Sequence, residues 1–145
     1  MARWRLSVNC MKTFISQRPI CYIMVTDRAA HIQAVKDNCK GIVASARSAL
    51  EILAAEKKNN PQLAEESKRM FEGIIINSNT VSGALSHEPD TTKLMAFCDL
   101  ILEDTKYLRK NVVKVSLNLA PLVDKITILA RLVRTGLAGL PRHWF

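Results

Sequence analysis

The residues of this chain that could take part in catalysis are few, and their spacing does not suit it. Ser86-His87-Glu88 supplies a hydroxyl, an imidazole and a carboxylate, which are the groups of a nucleophilic triad. The side chains of a triad converge in space from separated positions, and three adjacent residues cannot do so. We therefore expect this tripeptide to form a solvated loop.

A second candidate is His31, which precedes Lys40-Gly41 and an alanine-rich stretch. Histidine phosphotransfer domains are helical bundles in which a lysine and a glycine closely follow the phosphoacceptor. Here the gap between residues 31 and 40 exceeds two turns of helix, so the lysine cannot lie beside the imidazole. The spacing favours a surface histidine.

The possible metal ligands are also poorly placed. Di-iron bundles use inward-facing Glu-x-x-His motifs, and no histidine follows Glu65, Glu66, Glu103 or Asp104 by three residues. The cysteines show neither zinc-pair nor CxxC spacing. They are Cys10, Cys21, Cys39 and Cys98. We expect no catalytic residue, no metal and no cofactor, and hence a protein that is not an enzyme.

Positive charge is concentrated at the two ends of the chain. The net charge is +8, of which residues 1–26 contribute +4 and residues 121–145 contribute +3. A nucleic-acid-binding domain is more often basic across its body, so we expect no specific nucleic-acid partner. One basic cluster in the body is a candidate patch for a partner or a lipid, the alternative being a solvated face with local ion pairs. It comprises Lys106, Arg109, Lys110 and Lys114.

Apolar and small residues recur in alternating steps of three and four, which is the pattern of one helix face. The steps predict helices over residues 27–58, 61–86, 91–119 and 121–134. The four stripes run through Ile32, Val35, Cys39, Ile42, Ala46, Ala49 and Leu53; through Leu63, Ser67, Met70, Ile74, Asn77, Val81 and Ala84; through Leu94, Cys98, Ile101, Thr105, Leu108, Val112, Val115 and Leu119; and through Leu122, Ile126, Leu129 and Val133.

Capping residues set the expected ends of these helices. We expect N-caps at Asp27, at Asn60 before Pro61, and at Asp90 or Thr91. Thr135-Gly136 is the expected end of the last helix. Pro121 interrupts the chain between the third and fourth helices, which form either one kinked helix or two helices.

These stripes are wider than the seam of a two-stranded coiled coil, because further apolar residues flank them. We therefore predict an all-α fold, an elongated up–down antiparallel bundle of three long helices plus a shorter fourth helix, over residues 27–137. A tail follows at residues 138–145. The fourth helix or the N-terminal segment must cover the open face of the first three helices, or that face becomes a partner site.

Residues 1–26 form a basic N-terminal extension in this interpretation. We expect this extension to be disordered or loosely packed. It contains arginines and serines but no acid, so a mitochondrial transit peptide, which it resembles in composition, is the alternative. The chain has no run of 18 apolar residues, so we expect no transmembrane helix. Cysteines on helix seams suit a reducing compartment, so we expect a cytoplasmic protein, with a mitochondrial location as the alternative.

Long antiparallel helices with small residues in their seams resemble the rod and tail bundles of the talin, vinculin and α-catenin class. The stretch Ala44-Ser45-Ala46-Arg47-Ser48-Ala49-Leu50 carries the resemblance, which covers residues 27–135. It implies a scaffold linked to the actin cytoskeleton or to cell adhesion.

Our first hypothesis is accordingly a non-enzymatic protein-interaction module. Its partner is an amphipathic helix that docks into a groove between bundle helices or replaces one of them. The second hypothesis is a membrane-surface or mitochondria-associated protein that acts through its basic termini.

Overall fold

The computed structural model describes residues 18–87 and 90–141, with side chains from residue 28 onward, and it confirms the all-α helical bundle. The helices are α1 (Arg18–Glu56), α2 (Pro61–Ala84), α3 (Thr91–Asn111) and α4 (Ala120–Ala138). Short 3₁₀ turns lie at Lys57–Asn59, Val112–Lys114 and Leu117–Leu119.

The chain divides into two compact units, Met1–Gln33 and Ala34–Phe145. Within the first unit, the described residues 18–33 form the beginning of α1. The second unit contains the remainder of α1 and the other three helices. The rest of the predicted extension, residues 1–17, lies outside the described residues, as do residues 142–145 of the predicted tail.

The predicted start of the first helix was wrong. The helix α1 begins at Arg18, so Asp27 lies in its interior and is not its N-cap. The apolar run Ile20–Val25, within the predicted extension, continues the same helix.

The apolar stripe of α1 is confirmed where it faces the core of the second unit. All six of its predicted positions from residue 35 onward are buried. They are Val35, Cys39, Ile42, Ala46, Ala49 and Leu53. Ile32 is half-buried.

In α2 the capping prediction is confirmed but the stripe is rotated from the predicted one. Asn60 caps the helix, with its side chain accepting a hydrogen bond from the Leu63 N–H, and Pro61 is the first helical residue. Phe71 is fully buried, whereas the predicted Met70 is half-buried. By the same rotation, Ser78 is buried in place of the predicted Asn77. The adjacent apolar residues Met70 and Phe71 had left the centre of the broad stripe undetermined. The buried residues of α2 are Ala64, Ser67, Phe71, Ile74, Ser78 and Val81.

The helices α3 and α4 are separate, which resolves the two alternatives at Pro121. Asp90 caps α3 by accepting a hydrogen bond from the Thr92 N–H. The α-helix stops at Asn111, and Ser116 adopts an extended backbone with φ −159° and ψ 132°. Every predicted stripe position from Leu94 to Leu119 is nevertheless buried, because the two 3₁₀ turns keep these residues against the core.

The fourth helix runs longer than predicted. It continues through Thr135-Gly136 to Ala138, and Gly139 follows with an ordinary φ of −81°, so Gly136 does not end the helix. Its buried face is centred on Ile126, Ala130 and Val133, while the predicted Leu129 is half-buried.

The α4 helix covers the face that α1, α2 and α3 would otherwise leave open. A Cβ built on Gly41 of α1 would lie 2.9 Å from Leu129 Cδ1, which shows how closely α1 and α4 approach. Ion pairs from Asp99 to Arg134 and from Arg109 to Asp124 join α3 to α4 in antiparallel register. The bundle of the second unit is thus closed by its own fourth helix.

Candidate interaction surfaces

The candidate catalytic residues do not assemble into a site. Ser86 Oγ accepts a hydrogen bond from Lys36 Nζ at 2.6 Å, and His87 is exposed beside it. Glu88 lies outside the described residues. His31 is half-buried on α1. Over the part of the chain that the structure describes, no three His, Cys, Asp or Glu side chains are grouped to hold a metal ion.

The acids of α2 and α3 contribute to a polar contact between these helices. The Tyr107 hydroxyl donates a hydrogen bond to Glu66 Oε1 at 2.7 Å, and this bond raises the pKa of Tyr107. Burial, and then the neighbouring Glu103, raises the pKa of Asp104. Glu66, Asp104 and Tyr107 border a shallow hollow together with Arg69 and Met70. This arrangement aligns α2 with α3.

Two of the cysteines are buried thiols in the core, as the stripes predicted. Cys39 and Cys98 are both about 1% exposed and are not joined in a disulfide. Burial raises the pKa of Cys39 to about 12 and that of Cys98 to about 11. A thiol with so high a pKa is a poor nucleophile at neutral pH.

The predicted basic patch is exposed, but its four members differ in their contacts. Arg109 forms an ion pair with Asp124 of α4, so its charge is partly neutralised. Lys106 and Lys110 lie one turn apart on the exposed face of α3. Lys114 belongs to the 3₁₀ turn that follows, and it borders a hollow at the start of α2.

Concave features lie between α1 and α2, a pair of helices that the sequence did not single out for the predicted groove. At one end of this pair, a hollow of about 490 Å³ has Leu50, Leu53 and Ala54 on one side and Pro61 and Ala64 on the other. A second hollow of about 270 Å³ lies further along the same pair of helices. Its lining residues are Cys39, Lys40, Val43, Ala44, Arg47, Asn79 and Ser82.

The two hollows lie along one side of α1, from residue 39 to residue 58. At about 1.5 Å per residue, this stretch of helix is roughly 28 Å long. Ile76, one turn after Glu72 on α2, is 63% exposed and lies between the parts of α2 that line the two hollows. We call this surface the α1–α2 groove.

The larger hollow of the α1–α2 groove is mainly apolar, whereas the smaller one is bordered on α2 by the polar residues Asn79 and Ser82. The charges of the groove are mostly positive. Five basic residues line the two hollows, against two acids, Glu65 and Glu72. The bases are Lys40, Arg47, Lys57, Lys58 and Lys68. The groove is therefore suited to an elongated ligand with an apolar face and acidic flanks.

Nothing in the helices of the described residues has the length and the hydropathy of a membrane span. Comparison of the chain with models of protein families, with curated proteins and with solved structures finds no match.

Proposed function

We propose that the protein is a non-enzymatic interaction module that binds an amphipathic helix of a partner protein in the α1–α2 groove. The observation that carries this proposal is the pair of hollows on one side of α1 and α2, the larger of them mainly apolar, with a surplus of basic residues around them. Docking a helix there leaves the bundle intact. Replacement of a bundle helix is disfavoured, because α4 already fills the fourth position with fully buried side chains such as Ile126 and Ala130.

The shape of the groove favours a helical partner. Small side chains at Ala44 and Ala54 keep the α1 wall low, so that a helix can approach the groove floor closely. Leu50, which lines the larger hollow, and the exposed Ile76 are the larger apolar side chains available to a partner. Acidic residues beside the apolar stripe of the partner would face Lys40, Arg47 and the lysines at the α1 terminus.

The resemblance to the talin, vinculin and α-catenin class extends the proposal to the setting of this interaction. Small residues in long antiparallel helices characterise those bundles, and the stretch Ala44–Leu50 that carries the resemblance forms part of the groove wall. We propose a scaffold of the actin cytoskeleton or of cell adhesion as that setting.

Selection from a phage library of helical peptides against the full chain tests the groove. We expect the enriched peptides to combine an apolar stripe with acidic flanks. Ala54→Arg fills the groove with a long side chain that blocks the apolar stripe of the peptide, and should weaken binding by about tenfold or more, equivalent to roughly 1.4 kcal/mol; the control variant carries the same added charge.

Ala55→Arg is the matched control, because Ala55 is equally an exposed alanine of α1 but does not line the groove. It should leave peptide affinity within about twofold of the original. The proposal fails if no helical peptide is enriched, or if both arginine variants bind the enriched peptides as well as the unmodified chain does.

A further inference from the structure

One end of the second unit gathers segments that are distant in sequence. Here α1 ends, α2 begins and α3 passes into α4. Asn59 Nδ2 donates a hydrogen bond to the Val115 carbonyl at 2.8 Å, and Ser116 Oγ donates to Glu56 Oε2 at 2.7 Å. These bonds hold residues 110–120 against residues 56–64. We call the surface formed by these two segments the lysine end.

The charges of the lysine end are mostly positive. Residues 56–64 and 110–120 contain four lysines and one acid, Glu56. The lysines, all exposed, are Lys57, Lys58, Lys110 and Lys114. Glu56 is half-buried and accepts a hydrogen bond from the Ser116 hydroxyl, whereas the lysines are exposed. The surface therefore presents a net positive charge.

Apolar side chains project from the same surface. Leu117 is 76% exposed, more than any other large hydrophobic residue among those described, and Val113 is 38% exposed. Both lie in the 3₁₀ turns between α3 and α4, where their neighbours Val112, Val115 and Leu119 are buried. Some aliphatic residues of the α3–α4 connection thus fill the core, whereas Val113 and Leu117 are exposed near lysines.

We propose that the lysine end binds the surface of an anionic lipid bilayer, with Leu117 and Val113 entering the interfacial region and the lysines facing the acidic headgroups. Clustered lysines are attracted to an anionic membrane, and a few exposed aliphatic side chains add an apolar contribution. A protein partner is less suited to this surface than a bilayer, because two separate aliphatic side chains cannot form the apolar centre that a protein interface needs.

This proposal is independent of helix binding in the α1–α2 groove. Lys57 and Lys58 belong to both surfaces, whereas Leu117, Lys110 and Lys114 do not line the groove. Variants at these three positions therefore test the membrane contact alone.

Flotation of the full chain with vesicles tests the proposal. One vesicle population contains phosphatidylcholine alone, and the other contains equal parts of phosphatidylcholine and phosphatidylserine. We expect binding to the phosphatidylserine vesicles only, weakening as salt rises above about 0.1 M. Lys110→Gln/Lys114→Gln should weaken binding roughly 25-fold, since each lysine near an anionic surface contributes about fivefold.

Leu117→Asn should weaken the same binding by about tenfold, because an interfacial aliphatic contact is lost while the charge is unchanged. Leu132→Asn is its control, since Leu132 is 50% exposed on the side of α4. Lys40→Gln/Arg47→Gln removes two charges from α1 and is the control for charge.

Absence of binding to either vesicle population would overturn the proposal. It would equally be overturned if the chain bound the phosphatidylserine vesicles but the lysine-end variants bound them as well as their controls did. In that case the basic terminal segments, and not the lysine end, would account for the attraction.

Discussion

Ser116 donates its hydroxyl proton to Glu56 Oε2 across 2.7 Å, and this bond joins the α3–α4 connection to the end of α1. The same Ser116 oxygen accepts a hydrogen bond from the Asn118 N–H at 3.2 Å, and this bond begins the 3₁₀ turn Leu117–Leu119. One buried side chain thus determines both where the connection bends and where it is attached.

Ser116→Ala should therefore lower the free energy of unfolding by about 1–3 kcal/mol, because both hydrogen bonds are lost from a buried position. Urea denaturation followed by far-UV circular dichroism measures the change. Ser48→Ala, at an exposed position of α1, is the control and should alter stability by no more than about 0.5 kcal/mol. Equal effects of the two substitutions would show that the Ser116 bonds contribute nothing.

The rotation of α2 predicts unequal costs at two adjacent residues. Phe71→Ala should destabilise the protein by about 3–5 kcal/mol, since Phe71 is completely buried and its removal leaves a cavity. Met70→Ala should cost only about 1–2 kcal/mol, because Met70 remains in contact with solvent. The urea denaturation midpoints of the two variants compare these losses of stability. A larger loss for Met70→Ala than for Phe71→Ala would favour the stripe that the sequence predicted.

Two serines on the buried face of α2 should be replaceable with a gain in stability. The hydroxyl oxygens of Ser67 and Ser78 are buried and have no hydrogen-bond partner. Alanine at either position removes an unsatisfied polar group and favours the helix, so we expect each substitution to raise the free energy of unfolding by about 1 kcal/mol. The Ser48→Ala control isolates the helix-propensity part. Thermal unfolding that shows a loss of stability at both serines would contradict the described packing.

The buried thiols predict a loss of stability at alkaline pH. In the unfolded chain a thiol ionises near its ordinary pKa of about 8.5. Folding raises the pKa of Cys39 to about 12 and that of Cys98 to about 11, so the folded state keeps both protons longer. The thiols' contribution to stability is complete below the unfolded pKa. It decreases as the pH rises through the window between the unfolded and the folded values.

Urea midpoints measured from about pH 8 to pH 10 should therefore fall more steeply for the original chain than for Cys39→Ala/Cys98→Ala. The double variant is less stable at neutral pH, but its pH dependence should be shallower. Parallel pH profiles would show that the two thiols ionise equally readily in the folded and the unfolded chain.

Much of the core could be predicted from the sequence, because burial on α1 and α3 follows unambiguous steps of three and four. The α2 face was rotated because Met70-Phe71 and Ile74-Ile75 offer an apolar residue on either side of the stripe centre. The start of α1 was missed because Asp27 has the chemistry of a cap, whereas the hydrogen bonding of the preceding turns decides whether a helix begins there.

Periodicity alone predicts neither the α1–α2 groove nor the lysine end, because each surface depends on how the helices are placed relative to one another. Lys57-Lys58 and Lys110 with Lys114 appear in the sequence as local features of two helices. The up–down order places them at one end, and the Asn59 and Ser116 hydrogen bonds join the two segments there. The α1–α2 groove depends on how far apart two helices pack. Exposed alanines such as Ala44 and Ala54 on the flank of the α1 stripe were the only sequence signal for it.

The most direct test of the central claim is to titrate the isotope-labelled full chain with a selected helical peptide and to monitor the chemical shifts of its backbone amides by NMR. The α1–α2 groove predicts that the shifts cluster at Leu50, Ala54 and Ile76, while the outward face of α4 around Ile128 and Leu132 stays unchanged. Shifts concentrated on α4, or spread through the core as α4 is displaced, would contradict the account.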